Sequence, residues 1–177
     1  SQSSEILDKK DIFWGANLFH IGVIFLFCGH CFGLFTPTEW LNAAGLTPRL
    51  HQMMEIICGG LSAIVAITGL IILTWRRLTN ERVRAASRPS DFWVLFLLLA
   101  VIILGIGCVV NSYLYDKSGA TIILLGGWVR GLFSFDYQAW QNILLVPDWQ
   151  KGHIFVGLII FLIVPFTRLV HIWSGYL

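Results

Sequence analysis

Four of the five histidines of this chain lie inside two long apolar runs, two histidines in each run. His20 and His30 belong to NLFHIGVIFLFCGHCFGLF, and His153 and His171 belong to HIFVGLIIFLIVPFTRLVHIW. An ionisable side chain is costly to leave unpaired in hydrocarbon, so it is a functional candidate there. Two imidazoles that fill both axial positions of a haem iron favour electron transfer over oxygen binding. The four histidines therefore predict two bis-histidine haems in a membrane and a role in electron transfer.

The composition predicts a membrane protein. Of the 177 residues, 56% are hydrophobic and 12% are charged, and the mean hydropathy is +0.75; these values exclude an ordinary soluble domain and a disordered chain. A spanning helix needs about 20 mostly apolar residues, and four runs qualify, at about 14–35, 53–75, 92–113 and 153–173. We predict an all-α bundle of four transmembrane helices, with residues 1–177 as a single domain. A fifth apolar run, Thr121 to Trp128, is too short to span and predicts a helix or hairpin at the membrane surface.

The distribution of Lys and Arg predicts the orientation of the bundle, because an excess of these residues marks the cytoplasmic side. The connection WRRLTNERVRAASR carries five arginines, and the N-terminal segment carries Lys9 and Lys10. Both ends of the chain are therefore predicted to be cytoplasmic. The outer loops carry fewer cations, namely Arg49, Lys117, Arg130 and Lys151.

This orientation pairs His20 with His171 near the inner side and His30 with His153 near the outer side. At a rise of ~1.5 Å per residue, the two histidines of the first helix are about 15 Å apart and those of the last helix about 27 Å apart. A kink at Pro165 absorbs part of the mismatch, and the remainder has no explanation. Eighteen residues make about five full turns, so His153 and His171 share one helix face.

Alternative roles for these histidines, and for the glycines and cysteines near them, also have to be considered. Glycines beside the ligands, among them Gly29, either leave room for a flat macrocycle or pack helix against helix. Histidines that only hydrogen-bond between helices are a second alternative. Zinc requires a compact tetrahedral set of Cys and His ligands, whereas these histidines lie at two depths. The cysteines are predicted to pack as small apolar residues, and Phe32 follows Cys31 where covalent haem attachment requires histidine.

Several segments resemble the membrane gamma subunit of respiratory nitrate reductase, a family of dihaem cytochromes b that oxidise quinol. They are NLFHIG, GHCFGLFTP, the basic RRL and RVRA, and PFTRLVHIW, and the similarity extends from about Ile6 to Gly175. The resemblance implies two haems b, with His20 and His171 on the inner haem iron and His30 and His153 on the outer one. It also implies a location in the prokaryotic cytoplasmic (inner) membrane. The family has five spans, so we expect this chain to begin just before the family's second helix.

The resemblance also implies a quinol site beside the outer haem. The family has a lysine there, and counting back from Gly59 and Gly60 puts His51 at that position. An imidazole can hydrogen-bond a quinol oxygen and exchange a proton near neutral pH, since its unperturbed pKa is about 6.5. The alternative is an interfacial histidine in a polar loop. Glu55 is either a proton acceptor or an interfacial carboxylate.

The mechanism implied by the resemblance is quinol oxidation at the outer side. Electrons would cross from the outer to the inner haem and then reach a cytoplasmic iron–sulfur (beta) subunit and a catalytic molybdenum (alpha) subunit, while protons leave outside. Arg168 lies three residues before His171 and either pairs with an inner haem propionate or reaches a lipid phosphate. Lipid and quinol are the other expected partners, and nucleic acid is not expected.

Three alternative functions stay open on the sequence. The first is a related dihaem membrane subunit of a sulfite-reduction or heterodisulfide-reductase complex. The second is a non-catalytic haem-bearing anchor for cytoplasmic subunits. The third is a transporter that uses its histidines as a proton relay, although the chain has no paired broken helices of the kind that transporters use.

Overall fold

A computed structural model describes the backbone of residues 2–163 and the side chains of residues 12–163. Every regular element in this part of the chain is helical. The elements are α1 (Gln2–Phe35), α2 (Thr38–Ala43), α3 (Pro48–Met54), a π-helical turn (Glu55–Gly59), α4 (Gly60–Thr79), α5 (Glu81–Ala85), α6 (Pro89–Tyr115), α7 (Ala120–Phe133), α8 (Trp140–Leu144) and α9 (Asp148–Ile163).

Three stretches of helix within the described residues are long and apolar enough to cross a membrane, namely Ile12–Phe35, Pro48–Thr79 and Pro89–Tyr115. Large apolar side chains on them face outward, as does Phe25 with 65% of its surface exposed, which is favourable in lipid and unfavourable in water. The prediction of an all-α membrane bundle is thereby confirmed, and the three helices correspond to the first three predicted spans. The fourth predicted span begins in α9, and its remainder lies outside the described residues together with Pro165, Arg168 and His171.

The second span begins earlier than the predicted start at about residue 53. Pro48 occupies the first position of α3, where its missing N–H costs nothing. The Thr47 hydroxyl accepts a hydrogen bond from the Leu50 N–H at 3.3 Å and caps the helix. His51 therefore lies within a helix, which contradicts the alternative that placed it in a polar loop. The π-helical turn that follows is a feature often found at functional sites.

The helices α1 and α4 pack closely because glycines face their backbones. A Cβ atom on Gly22 would lie 2.7 Å from Ala66 Cα, and one on Gly69 would lie 2.6 Å from the Gly15 carbonyl oxygen. Lipid tails are as apolar as leucine, so close packing of small residues is what holds membrane helices together. The buried core adds Phe19, Ala63, Leu70 and Ile102 to Ala66. In turn α6 packs against α4 and α9.

The short apolar run at 121–128 belongs to the helix α7, so the helical alternative of the prediction is confirmed. This helix packs against α1 and buries Ile122, Gly126 and Gly131. Gly119 precedes it with φ +79°, a left-handed conformation that favours glycine. A Cβ atom at Gly119 would also collide with the Pro48 carbonyl group at the start of α3. The connection from α6 into α7 thus touches the beginning of the second span.

We predict that Gly69→Ala destabilises the bundle by about 2 kcal/mol, because the added methyl group overpacks two backbones. The matched control is Gly60→Ala on the same helix, where the new Cβ would meet only Val109 Cγ1 at 3.8 Å. The midpoint of thermal unfolding of the detergent-solubilised protein should fall for Gly69→Ala alone. Equal midpoints for the two variants would contradict close packing of α1 on α4.

Candidate functional site

His30 on α1 and His153 on α9 lie side by side, with ring centroids 5.9 Å apart and ring planes inclined by 28°. His30 Nδ1 donates a hydrogen bond to the Leu26 carbonyl oxygen at 2.6 Å. His153 Nδ1 donates to the Val101 carbonyl oxygen of α6 at 2.9 Å. A carbonyl can only accept, so Nδ1 carries a proton, and in the neutral ring Nε2 then keeps its lone pair. This is the tautomer and the support that a metal-ligating imidazole requires.

His20 repeats this arrangement ten residues earlier on α1. Its Nδ1 donates to the Ala16 carbonyl oxygen at 2.6 Å, and the side chain is exposed on the protein surface. Its Nε2 is therefore also left with a free lone pair. The histidine predicted to face it, His171, lies outside the described residues.

The glycines near these histidines fall into two groups. A Cβ atom on Gly29 or on Gly157 would have no neighbour within 4 Å, so open space adjoins both helices beside His30 and His153. Gly22, in contrast, is packed against α4. Some glycines therefore border open space and others serve helix packing, while room for a macrocycle beside Gly29 stays a prediction.

His51 is buried in α3, with 4% of its surface exposed, and its ring meets Phe32 edge-on at 5.7 Å between centroids. Its Nε2 atom is buried and has no hydrogen-bond partner among the residues that the structure describes. A buried polar atom without a partner costs about 1–3 kcal/mol. Glu55 Oε1 lies 3.9 Å away, one helical turn further along. His51 Nε2 is therefore available to bind a group that the described residues do not supply.

Glu55 extends from the π-helical turn toward α1 and remains 42% exposed at its side chain. It lies directly against Gly33, where any Cβ atom would collide with its carboxylate and would also come within 3.5 Å of His51 Nε2. Gly33 follows His30 by three residues on α1. The structure thus brings His51 and Glu55 together beside the end of the helix that carries His30.

A hydrogen-bond network fixes the backbone on both sides of His51. The Gln52 side chain is 2% exposed, and its Nε2 donates to Ser112 Oγ at 2.9 Å and to the Asp116 carbonyl oxygen at 2.8 Å. Arg49 Nη1 donates to Gln52 Oε1 at 2.6 Å and to the same carbonyl at 3.1 Å. These bonds attach α3 to the end of α6. The sequence analysis counted Arg49 only as a loop charge and missed this role.

Asp116 links the end of α6 to the start of α7. Its carboxylate accepts hydrogen bonds from the backbone N–H groups of Ser118, Gly119 and Thr121 at 2.9–3.0 Å. Burial raises the pKa of this carboxyl group, but the hydrogen bonds, led by that from Thr121, outweigh burial and lower the pKa to about 2.

Arg130 of α7 caps the end of α1. Its Nη1 donates to the carbonyl oxygens of Leu34 and Thr36 at 3.1 Å and 3.0 Å, which satisfies acceptors that a helix end leaves without partners. The residues are more than ninety positions apart in sequence, so no local pattern indicated the contact. Arg130 thereby fixes the segment of α1 that follows His30.

Two further observations concern metal ligands and thiols in the described part of the chain. Among the side chains of residues 12–163 no group of three or more His, Cys, Asp and Glu residues converges on one point. The cysteines, which are Cys28, Cys31, Cys58 and Cys108, are free thiols. Arg168 lies outside the described residues, so its two alternatives stay predictions.

Comparison with known proteins gives a consistent result over the whole chain. Residues 1–177 match a family whose description is nitrate reductase gamma subunit. The chain is 37% identical to the respiratory nitrate reductase 2 gamma chain of Escherichia coli (strain K12), over 99% of this chain and 76% of that relative. It is 36% identical to the respiratory nitrate reductase 1 gamma chain of the same organism, over 97% of this chain and 76% of that relative. It is 37% identical to the nitrate reductase gamma chain of Bacillus subtilis (strain 168), over 98% and 77%.

We predict that the carboxylate of Asp116 stabilises the fold by about 1 kcal/mol in a pH-dependent manner. Its pKa in the folded protein lies below the ordinary value of 3.8, so the stabilisation is complete above that value and is lost as the pH falls toward 2. The free energy of unfolding should therefore decline for the native protein relative to Asp116→Asn between about pH 5 and 2. Parallel curves for the two proteins would show that the carboxylate contributes nothing.

Proposed function

The chain belongs to the nitrate reductase gamma subunit family, and from that premise we propose that it is the dihaem cytochrome b of a respiratory complex that oxidises quinol. As a gamma chain it is part of a membrane-bound oxidoreductase complex with partner catalytic subunits. The observation that carries the proposal is the adjacent pair His30 and His153. Each ring donates Nδ1–H to a carbonyl and keeps the Nε2 lone pair.

The residues present fit a haem group. His30 and His153 would hold the outer haem iron, and His20 and His171 the inner one. The open space beside Gly29 and Gly157 leaves room for a flat ring against the two helices. When bound, haem b would supply one-electron redox chemistry.

The carbonyls that support the histidines have a chemical role of their own. Each hydrogen bond from Nδ1–H fixes the ring orientation and raises the basicity of Nε2. His30 and His20 use carbonyls of their own helix, whereas His153 uses Val101 of α6. The position of His153 therefore depends on the contact between α6 and α9.

The candidate quinol site is formed by His51 and Glu55. Oxidation of a quinol removes two electrons and two protons, so the site must accept protons from the two hydroxyl groups. The buried Nε2 of His51 has no hydrogen-bond partner among the described residues and would accept a hydrogen bond and then a proton from one hydroxyl group. Glu55 Oε1 lies 3.9 Å away on a partly exposed side chain and is the nearest further acceptor.

The distribution of charge along the second span indicates that the proposed site faces the outer side of the membrane. His51 is near the start of Pro48–Thr79, and Arg76 and Arg77 are in its last turn. Because arginine-rich ends face the cytoplasm, the His51 end faces outward. Protons would then leave outside, while electrons move inward, which conserves energy without proton pumping.

The proposed partners lie on the cytoplasmic side. Electrons would pass to an iron–sulfur (beta) subunit and from there to a molybdenum-containing (alpha) subunit that reduces nitrate, in a prokaryotic inner membrane. The relatives named above are all nitrate reductase chains, which favours this complex over sulfite-reduction or heterodisulfide-reductase complexes. Residues 1–177 would form a single dihaem domain with both ends in the cytoplasm.

We predict that His153→Ala removes about half of the b-type haem from the purified complex, because one iron loses an axial ligand. His20→Ala should remove the other half. His51→Ala, a histidine outside the proposed ligand set, is the control and should retain both haems. Haem per protein and the reduced-minus-oxidised spectrum measure the outcome, and a complex without haem would favour the transporter alternative.

We predict that His51→Ala slows the reduction of the haems by a quinol analogue by about 100-fold, because a proton acceptor is lost. Glu55→Gln should slow it less, by about tenfold. Stopped-flow spectroscopy measures the rates, and reduction by dithionite should be unaffected. Glu39→Gln, a change to an exposed carboxylate of α2, is the matched control. If quinol reduced no haem in the native complex, the chain would be a haem-bearing anchor.

A further inference from the structure

A small cavity lies beside His51, between the end of α1 and the helices α2, α3 and α7. Its volume is about 10 Å³, which is about the space that one water molecule requires. The apolar part of its wall includes Leu41 and Ile122, both of which are buried. The cavity is therefore too small for a quinol ring and large enough for one water molecule.

The polar residues of the cavity wall are suited to hold a water molecule. They are Thr36, Thr38, His51 and Arg130. A buried water needs two to four polar partners, and the wall includes His51, whose Nε2 is buried and has no hydrogen-bond partner among the described residues. Thr36 and Thr38 are half-buried and border the connection between α1 and α2, so this side of the cavity leads toward the surface.

We propose that this cavity holds one ordered water molecule, which takes the proton from His51 and passes it outward past Thr36 and Thr38. The inference rests on the proposed oxidation of quinol at His51. It assigns to three residues that the sequence analysis did not select, Thr36, Thr38 and Arg130, the task of positioning the proton exit.

The proton balance of this relay is complete. An O–H bond of quinol breaks, its proton bonds to His51 Nε2, and its electron goes to a one-electron acceptor, a role that a haem would fill. The quinol oxygen then moves away from Nε2, so that the Nε2–H bond of the imidazolium can break and its proton can join the water molecule. The water releases a proton to the outer solution and returns to its initial state. The second quinol hydroxyl group can repeat the same cycle, because neutral His51 is restored each time.

Arg130 limits how long a proton stays in the cavity. Its guanidinium group is attached to the end of α1, at the cavity wall, by two hydrogen bonds. A fixed positive charge disfavours a second positive charge beside it, so a proton that reaches the water is passed on and not held there. The carboxylate of Glu55, whose Oε1 lies 3.9 Å from His51 Nε2, favours a proton on His51 instead.

The test uses the double variant Thr36→Val and Thr38→Val in the intact complex. Valine keeps the volume of threonine and removes the hydroxyl group. The control is Thr68→Val, since the Thr68 hydroxyl bonds only to the Ile64 carbonyl oxygen of its own helix at 2.7 Å. Haem reduction by a quinol analogue and proton release to a pH-sensitive dye are followed together in H2O and in D2O.

We expect the double variant to release protons about tenfold more slowly than the native complex, with a larger solvent isotope effect. Its KM for quinol and its reduction by dithionite should be unchanged. Release at the rate of Thr68→Val would overturn the relay while leaving quinol oxidation intact. If quinol reduced no haem in the native complex, the proposed function would fail and the relay with it. The single variants Thr36→Val and Thr38→Val provide the same comparison if the double variant does not assemble.

The water itself is the second readout. A high-resolution map of the intact complex should contain a density peak within hydrogen-bond distance of His51 Nε2, between His51 and the two threonines. An empty cavity in such a map would overturn the proposal, whatever the kinetics.

Discussion

The site depends on one constraint, which is that a side-chain N–H group in hydrocarbon has no water to bind and must find a partner within the protein. His20, His30 and His153 all satisfy it in the same way, by donation from Nδ1 to a main-chain carbonyl. A helix supplies such acceptors at a spacing of four residues, and a neighbouring helix supplies one for His153. The same hydrogen bond that satisfies the buried N–H group therefore also fixes the tautomer with the proton on Nδ1. Three imidazoles present Nε2 lone pairs, which an iron can use and a hydrocarbon cannot.

The helix α1 carries this chemistry from one side of the membrane to the other, so its position has to be exact within the bundle. Close contact with α4 through Gly22 and Gly69 fixes its middle. Arg130 fixes its end by binding the last carbonyls. Between these two fixed points lie His30 and Gly33, and Gly33 is also the surface against which Glu55 packs. A displacement of α1 would therefore alter both the proposed haem ligand and the proposed quinol site.

The sequence was sufficient for features that depend on local composition and failed for those that depend on distant contacts. Three spans followed from the length of apolar runs, and the facing of His30 and His153 followed from counting spans and charges. The start of the second span was missed because the prediction followed the apolar run from about residue 53, whereas Thr47 and Pro48 begin the helix earlier. Gln52 and Arg130 were missed because their partners are 60 to 96 residues away. The two roles of the glycines could be separated only when their neighbours were known.

The neighbouring residues His51 and Gln52 of α3 differ in how their polar atoms are satisfied. Polar partners are available in this region, although His51 Nε2 has none among the described residues. Gln52 is as deeply buried and its amide forms bonds to the Ser112 hydroxyl, the Asp116 carbonyl and Arg49. The fold thus provides several partners at one position and none for Nε2 at the preceding position. Packing that can satisfy Gln52 so fully would be expected to satisfy His51 as well if its role were structural. A permanent partner would block Nε2 from exchanging a proton, whereas a mobile water or a bound hydroxyl group would not. The absence of a fixed partner is therefore the property that a proton acceptor at this position needs.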